Sequence, residues 1–193
     1  MRVEVLTGAP LEAVLEDVAQ LRITVFRDWP YLYDGDLDYE KNHIQSYRDS
    51  PDAVVVGAFD GDRLVGAATG TPMEDHAGDF AAPFADTGER LEDIFYCAES
   101  VLLPDYRGRG IGHRFFDLRE DHARRLGRRK AAFCGVMRQE DHPMRPADYR
   151  ALDAFWTKRG YAKLPGVIAR FHWKDVGDDE MSEKPLQFWM RPL

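Results

Sequence analysis

Residues 107–112 read Arg-Gly-Arg-Gly-Ile-Gly, with an apolar run before them and a helical pattern after them. The run Ile94–Leu103 has the length and composition of a strand. Downstream, Ile111, Phe115, Leu118, His122 and Leu126 recur at helical spacing, and Gly127 stands where a C-terminal cap belongs. A glycine-rich turn joining a strand to a helix leaves successive backbone N–H groups without intrahelical partners, and the helix dipole adds partial positive charge there. Such a turn suits phosphate. Glycines at 108, 110 and 112 leave out the Cβ atoms that would hold a diphosphate off the main chain. No Gly-Lys-Ser/Thr follows, which excludes a P-loop. The spacing Gly108-x-Gly110-x-Gly112, with basic and apolar residues near 130, does not fit the dinucleotide fingerprint.

The rest of the chain fits one α/β domain over residues 1–193, with 44% hydrophobic residues. No apolar run approaches the ~20 residues a membrane helix needs. No basic segment followed by an apolar core opens the chain, so a cytoplasmic protein is expected. Cys97 and Cys134 both fall in apolar runs and read as buried, reduced thiols. A net charge of −8 argues against nucleic acid as the main partner and mildly favours a cationic acceptor, although solubility alone explains it. The six histidines show no metal-ligand spacing, so no metal is expected.

Arg2–Leu6 alternates as a strand. A helix follows, with Pro10 at its first turn and Leu11, Val14, Leu15, Val18, Leu21 and Val25 as its apolar stripe. Pro30 ends it near Asp28. An aromatic, acidic loop, Trp29–Asp36, leads to a second helix over Leu37–Arg48. Ala53–Phe59 and Arg63–Thr71 form a hairpin around Asp60-Gly61-Asp62. Met73–Glu92 reads as a long irregular segment, less unusual if Phe80–Phe84 is helical. The cluster Arg124, Arg125, Arg128, Arg129 and Lys130 reads as complement to a helix C-terminus rather than a nucleic-acid patch. Ala131–Met137 is a further strand, Asp148–Arg159 a helix ending at Gly160, and Ile168–Val176 and Pro185–Met190 the last strands.

The pattern Arg107-x-x-Gly110-x-Gly112, preceded by Val101-Leu-Leu-Pro104-Asp-Tyr106, resembles motif A of the GCN5-related N-acetyltransferases (GNAT). Ala154-Phe155-Trp156-x-x-x-Gly160-Tyr161 is similar to the family's motif B, and the element order β-α-α-β-β-β-α-β-α-β-β follows its fold. More narrowly, Phe26–Asp36, Glu99–Pro104 and Phe155-Trp156 resemble acetyltransferase portions associated with carbon–nitrogen hydrolases. The resemblance implies a mostly antiparallel mixed sheet, splayed between its fourth and fifth strands, and acetyl-coenzyme A (acetyl-CoA) as co-substrate. It also implies direct attack by a primary amine of a small molecule or peptide. Val101, Leu102 and Leu103 would hold pantetheine, and Arg107, Gly108, Arg109, Gly110, Ile111 and Gly112 the pyrophosphate. A bulge in the strand before the turn would free an N–H to polarise the thioester.

Glu99, in an otherwise apolar strand near the splay, is the candidate base; a structural Glu paired with an arginine is the equal alternative. Glu92 and Tyr96 on the same strand are weaker candidates. The family's usual proton donor is a tyrosine four residues before the motif B glycine, where this chain has Trp156. An indole donates a hydrogen bond but no proton. Trp156 is thus either a thiol-side contact or a core aromatic, and Tyr149 is a stand-in acid. The acceptor walls are expected at Trp29–Asp36, Met73–Glu92 and Arg138–Pro146, with Tyr31, Tyr33, Asp34, Tyr96, Arg138 and His142 as contacts. Phe95, Cys97, Phe133 and Met137 would set acyl-chain length. The alternatives are a longer acyl donor, a non-catalytic acyl-CoA sensor and a protein-interaction domain. Phe188 and Trp189 belong either to the core or to a homodimer surface on the C-terminal strands.

Overall fold

The computed structural model describes residues 1–193. Its strands are β1 (Arg2–Leu6), β2 (Val54–Asp60), β3 (Arg63–Pro72), β4 (Ile94–Leu102), β5 (Lys130–Val136), β6 (Ala162–Lys174) and β7 (Met181–Pro192). Its helices are α1 (Ala9–Phe26), α2 (Leu37–Asp49), α3 (Ala77–Phe84), α4 (Ile111–Arg125) and α5 (Asp153–Lys158). All seven strands form one sheet in the order β1-β2-β3-β4-β5-β7-β6. Only β4 and β5 run parallel. They pair over Ile94–Tyr96 and Lys130–Ala132 and then part, while β4 continues along β3 and β5 along β7. The expected splay is therefore present.

Alternation along β2 builds the layers. Val54, Val56 and Ala58 face α4, whereas Val55 and Phe59 face α1 and α2. Each of the valine and phenylalanine side chains, fully buried, contributes about 1.5–3 kcal/mol. A third cluster packs α3 on the far half of the sheet, with Phe80 at its centre against Tyr96, Phe171 and Phe188. Phe188 and Trp189 are buried in the core, which removes them as an interface surface.

Several sequence expectations change. Met73–Glu92 is structured rather than irregular: a 3-10 turn at Met73–His76 runs into α3, and another covers Leu91–Asp93. Glu92 thus lies before β4, not on it. The helix expected over Asp148–Arg159 shrinks to α5, because Pro143 and Pro146 hold the chain in turns through Tyr149, outside any helix. The last two strands are longer than expected. Their apolar pattern is broken where the β6–β7 register shifts between Lys163 and Ile168, around Pro165-Gly166. The basic cluster is where it was expected: Arg124 and Arg125 lie in the last turn of α4, while Arg124 also pairs with Asp121, Arg128 with Glu74 and Lys130 with Glu89.

Candidate active site

The strand–turn–helix unit is built as its glycines require. Gly108 and Gly110 have φ of 74° and 81°, and Gly110 is the left-handed cap preceding α4. No atom comes within 4 Å of a Cβ placed at either, so the turn opens outward. The first main-chain bond of α4 is Arg114 N–H to Gly110 O at 3.2 Å. The six N–H groups from Gly108 to His113 have no acceptor within the protein. Six unpaired donors on a positive helix end make an anion cradle. Arg107 and Arg109 stand exposed beside it. Arg107 Nε donates to Leu102 O at 3.2 Å, and Arg109 lies over Tyr106. A Cβ at Gly112 would make only an ordinary van der Waals contact with the Phe155 ring, at 3.6 Å.

The register of β3 and β4 slips between Thr69↔Glu99 and Thr71↔Tyr96, so β4 carries one extra residue at Cys97–Ala98. Beyond this bulge, Leu103 N–H donates to Val65 O at 3.0 Å. Leu103 therefore spends its amide within the sheet, contrary to its expected place on the ligand edge. Alternation turns the amides of Ser100 and Leu102 to the edge that β5 has left.

The Glu99 side chain leaves the bulge toward α1 and α2. It is 20% exposed and ion-paired with Arg22, itself paired with Glu40. His43 Nε2 lies 3.3 Å from Glu99 Oε1. Burial first, then Arg22 and His76, push the His43 ring well below the usual histidine range, so it is neutral at pH 7. The Tyr33 hydroxyl lies against Glu40, and burial and that contact both push it up. Two carboxylates thus share one guanidinium, leaving a net negative charge under the helices.

Tyr31 packs tilted against Phe26 and stacks on Trp173, and its hydroxyl is pushed up by burial. Tyr96 is buried, with its hydroxyl 3.2 Å from Cys134 Sγ. His142 and Tyr149 pack on Trp29, with ring centroids 5.0 and 6.0 Å away. Burial also pushes the Tyr149 phenol up, so it keeps its proton. Trp156 packs on Phe133 and Trp189, and the missing Cβ of Gly135 admits its ring edge. It is half-buried against the core.

Two expected acceptor contacts are committed elsewhere. Asp34 is held by Lys174 at 2.8 Å and Arg27 at 3.1 Å, which lower its pKa. Arg138 donates to Pro30 O, Tyr31 O and both oxygens of Asp175. It clamps the aromatic loop instead of facing a ligand. Cys97 and Cys134 are free and buried, and burial pushes Cys134 up to about 12. No group of three His, Cys, Asp or Glu side chains is arranged to hold a metal.

Sequence reading missed Arg22, Glu40, His43 and Arg119. The available signal was spacing: Arg22 follows Val18 and precedes Phe26 by four, and Arg119 stands likewise between Phe115 and Ala123. Both charges occupy buried stripes.

The acetyltransferase (GNAT) family profile matches residues 16–147, more than half of the chain. The chain belongs to the GNAT acetyltransferase family. No curated protein matches it by sequence. Among solved structures, this GNAT chain resembles the ribosomal-protein-alanine N-acetyltransferase of Brucella melitensis, with TM-score 0.65, 15% identity and full coverage of both chains. An aminoglycoside 6'-N-acetyltransferase complexed with coenzyme A gives 0.64 at 15%, covering 100% of this chain and 97% of the other. The Salmonella typhimurium protein yncA, solved with its cofactor acetyl-CoA, gives 0.61 at 13%, covering 100% and 95%. At these identities the likeness is one of fold. No helix of this family member is long and apolar enough to cross a membrane.

Proposed function

We propose that this GNAT protein transfers an acetyl group from acetyl-CoA to a primary amine of a small molecule or peptide, by direct attack in a ternary complex. The observation that carries the reading is the row of six unpaired N–H groups at Gly108–His113, in the turn that follows a splayed, bulged strand. The cradle fits a pyrophosphate, with Arg107 and Arg109 beside it for further phosphate charge. The outward amides of Ser100 and Leu102 suit pantetheine and the thioester oxygen. The compared structures named for aminoglycoside and ribosomal-protein-alanine acetylation, and those holding coenzyme A or acetyl-CoA, support the donor and the amine class.

In this reading the amine nitrogen forms the new C–N bond at the thioester carbonyl and the C–S bond breaks. Glu99 takes the ammonium proton and lies beside neutral His43, which leads toward the surface. The net negative charge of Arg22, Glu40 and Glu99 favours a cationic amine. Tyr149 remains the proposed donor to the departing thiolate, since the indole of Trp156 supplies no proton. The experiment is coenzyme A thiol release from acetyl-CoA over a panel of amines: aminoglycosides, polyamines and alanine-terminated peptides. Amine-dependent release supports the reading. Tight acetyl-CoA binding without release on any amine favours a non-catalytic sensor, and release only with longer acyl-CoA favours a longer donor.

A further inference from the structure

Arg119 is 1% exposed, and no carboxylate pairs with it. A buried guanidinium without a counter-ion is held only where its five donors meet enough acceptors. Here Nη1 donates to Thr69 O at 3.0 Å and Glu99 O at 2.8 Å, Nη2 to Ser100 Oγ at 2.8 Å, and Nε to Phe115 O at 3.2 Å. Thr69 and Glu99 are the pair at which the β3–β4 register slips. A bulge disrupts the ladder, and Arg119 supplies donors to both of these carbonyls from the opposite face of the sheet. The side chain therefore fixes the backbone of the residue whose carboxylate meets Arg22 and His43. Its own helix, α4, is the one whose N-terminus forms the anion cradle, eight residues or about 12 Å away along the axis.

We propose that Arg119 is a positioning residue for acyl transfer: it pins the bulged segment of β4, so that Glu99 and the Ser100 amide are held in register with a donor seated on α4. This rests on the acetyl-transfer reading. The pin needs a planar fork. Lysine keeps the charge and much of the volume but, with three donors on one nitrogen, cannot serve the four separated oxygens that the planar fork reaches.

The experiment compares Arg119→Lys, Ser100→Ala and the wild-type protein in thiol release, acetyl-CoA calorimetry and thermal unfolding. Expected for Arg119→Lys is a fall in kcat of about 100-fold, the scale of a 1 Å misplacement, with the acetyl-CoA Kd within about threefold. Ser100→Ala, which removes one partner and no packing, should lower kcat by a smaller factor in the same direction. In a Glu99→Gln background, Arg119→Lys should cost less than about threefold more, because the pin acts through Glu99. Unchanged kcat in a folded Arg119→Lys protein would overturn the proposal, as would multiplicative losses with Glu99→Gln. Should Arg119→Lys not fold, the Ser100→Ala kcat and its cycle with Glu99→Gln decide by the same criteria. Absence of turnover in the wild-type protein would instead defeat the acetyl-transfer reading.

Discussion

Arg138→Met tests whether the aromatic loop is clamped as described. The substitution removes four hydrogen bonds: Nε to Pro30 O at 2.9 Å, Nη2 to Tyr31 O at 2.6 Å, and two to Asp175 at 2.6 and 2.9 Å. The paired side chains are only 10% and 12% exposed. Deleting one partner of a buried pair costs about 3–5 kcal/mol. Lys184 stays 3.4 Å from Asp175 and relieves part of that, which places the expected loss near the lower figure. At about 2–4 °C per kcal/mol for a chain of this size, Tm should fall by roughly 6–12 °C. The pH dependence follows from Asp175. Burial would raise its pKa, but Arg138 and then Lys184 outweigh burial and hold it below 3.8. A depressed carboxyl stabilises the fold above its unfolded value and loses that contribution as pH falls through the folded one. The Tm gap between wild type and variant should therefore narrow as pH is lowered from about 7 to about 3. The assay is calorimetric unfolding across that range. A neutral-pH Tm within about 2 °C of wild type would refute the clamp, and a gap that widens on acidification would refute the assigned Asp175 pairing.

Glu99→Gln keeps the side chain's size but cannot take a proton, so kcat should fall by about 10²–10⁴ while the acetyl-CoA Kd holds, as read by thiol release and calorimetry. Equal activity would make Glu99 structural. Cys97 and Cys134, buried and with raised pKa values, should resist an aromatic disulfide reagent at mildly alkaline pH until the protein unfolds. Rapid labelling of the native protein would contradict their placement.

Much of the frame was written locally. The alternation of Val54–Phe59, the stripe of α1 and the glycines at 108, 110 and 127 each specify a backbone state from a few neighbouring residues, and the structure shows those states. The cradle was legible for the same reason. The ion-paired floor of the site was not, because it depends on meetings that spacing does not encode. Arg22 reaches Glu40 and Glu99 across two helices and a strand, and Arg119 reaches Thr69 across 50 positions. Tyr149, Leu152, Phe155 and Trp156 fit a helical period, yet the prolines before them win and the helix begins only at Asp153. Arg138 and Asp34 looked like ligand contacts because exposed and clamped charges have the same sequence signature; their partners Asp175 and Lys174 lie in or beside β6.

The central claim is that the open turn before α4 holds the pyrophosphate of acetyl-CoA. Isothermal calorimetry of acetyl-CoA with the wild-type protein and with Gly110→Trp tests it most directly. The indole would occupy the open space over the cradle, at a position whose φ of 81° already disfavours a side chain. Micromolar binding by the wild type, lost in a folded Gly110→Trp protein, is the predicted result. No binding by the folded wild-type protein, or binding that survives the tryptophan unchanged, would contradict it.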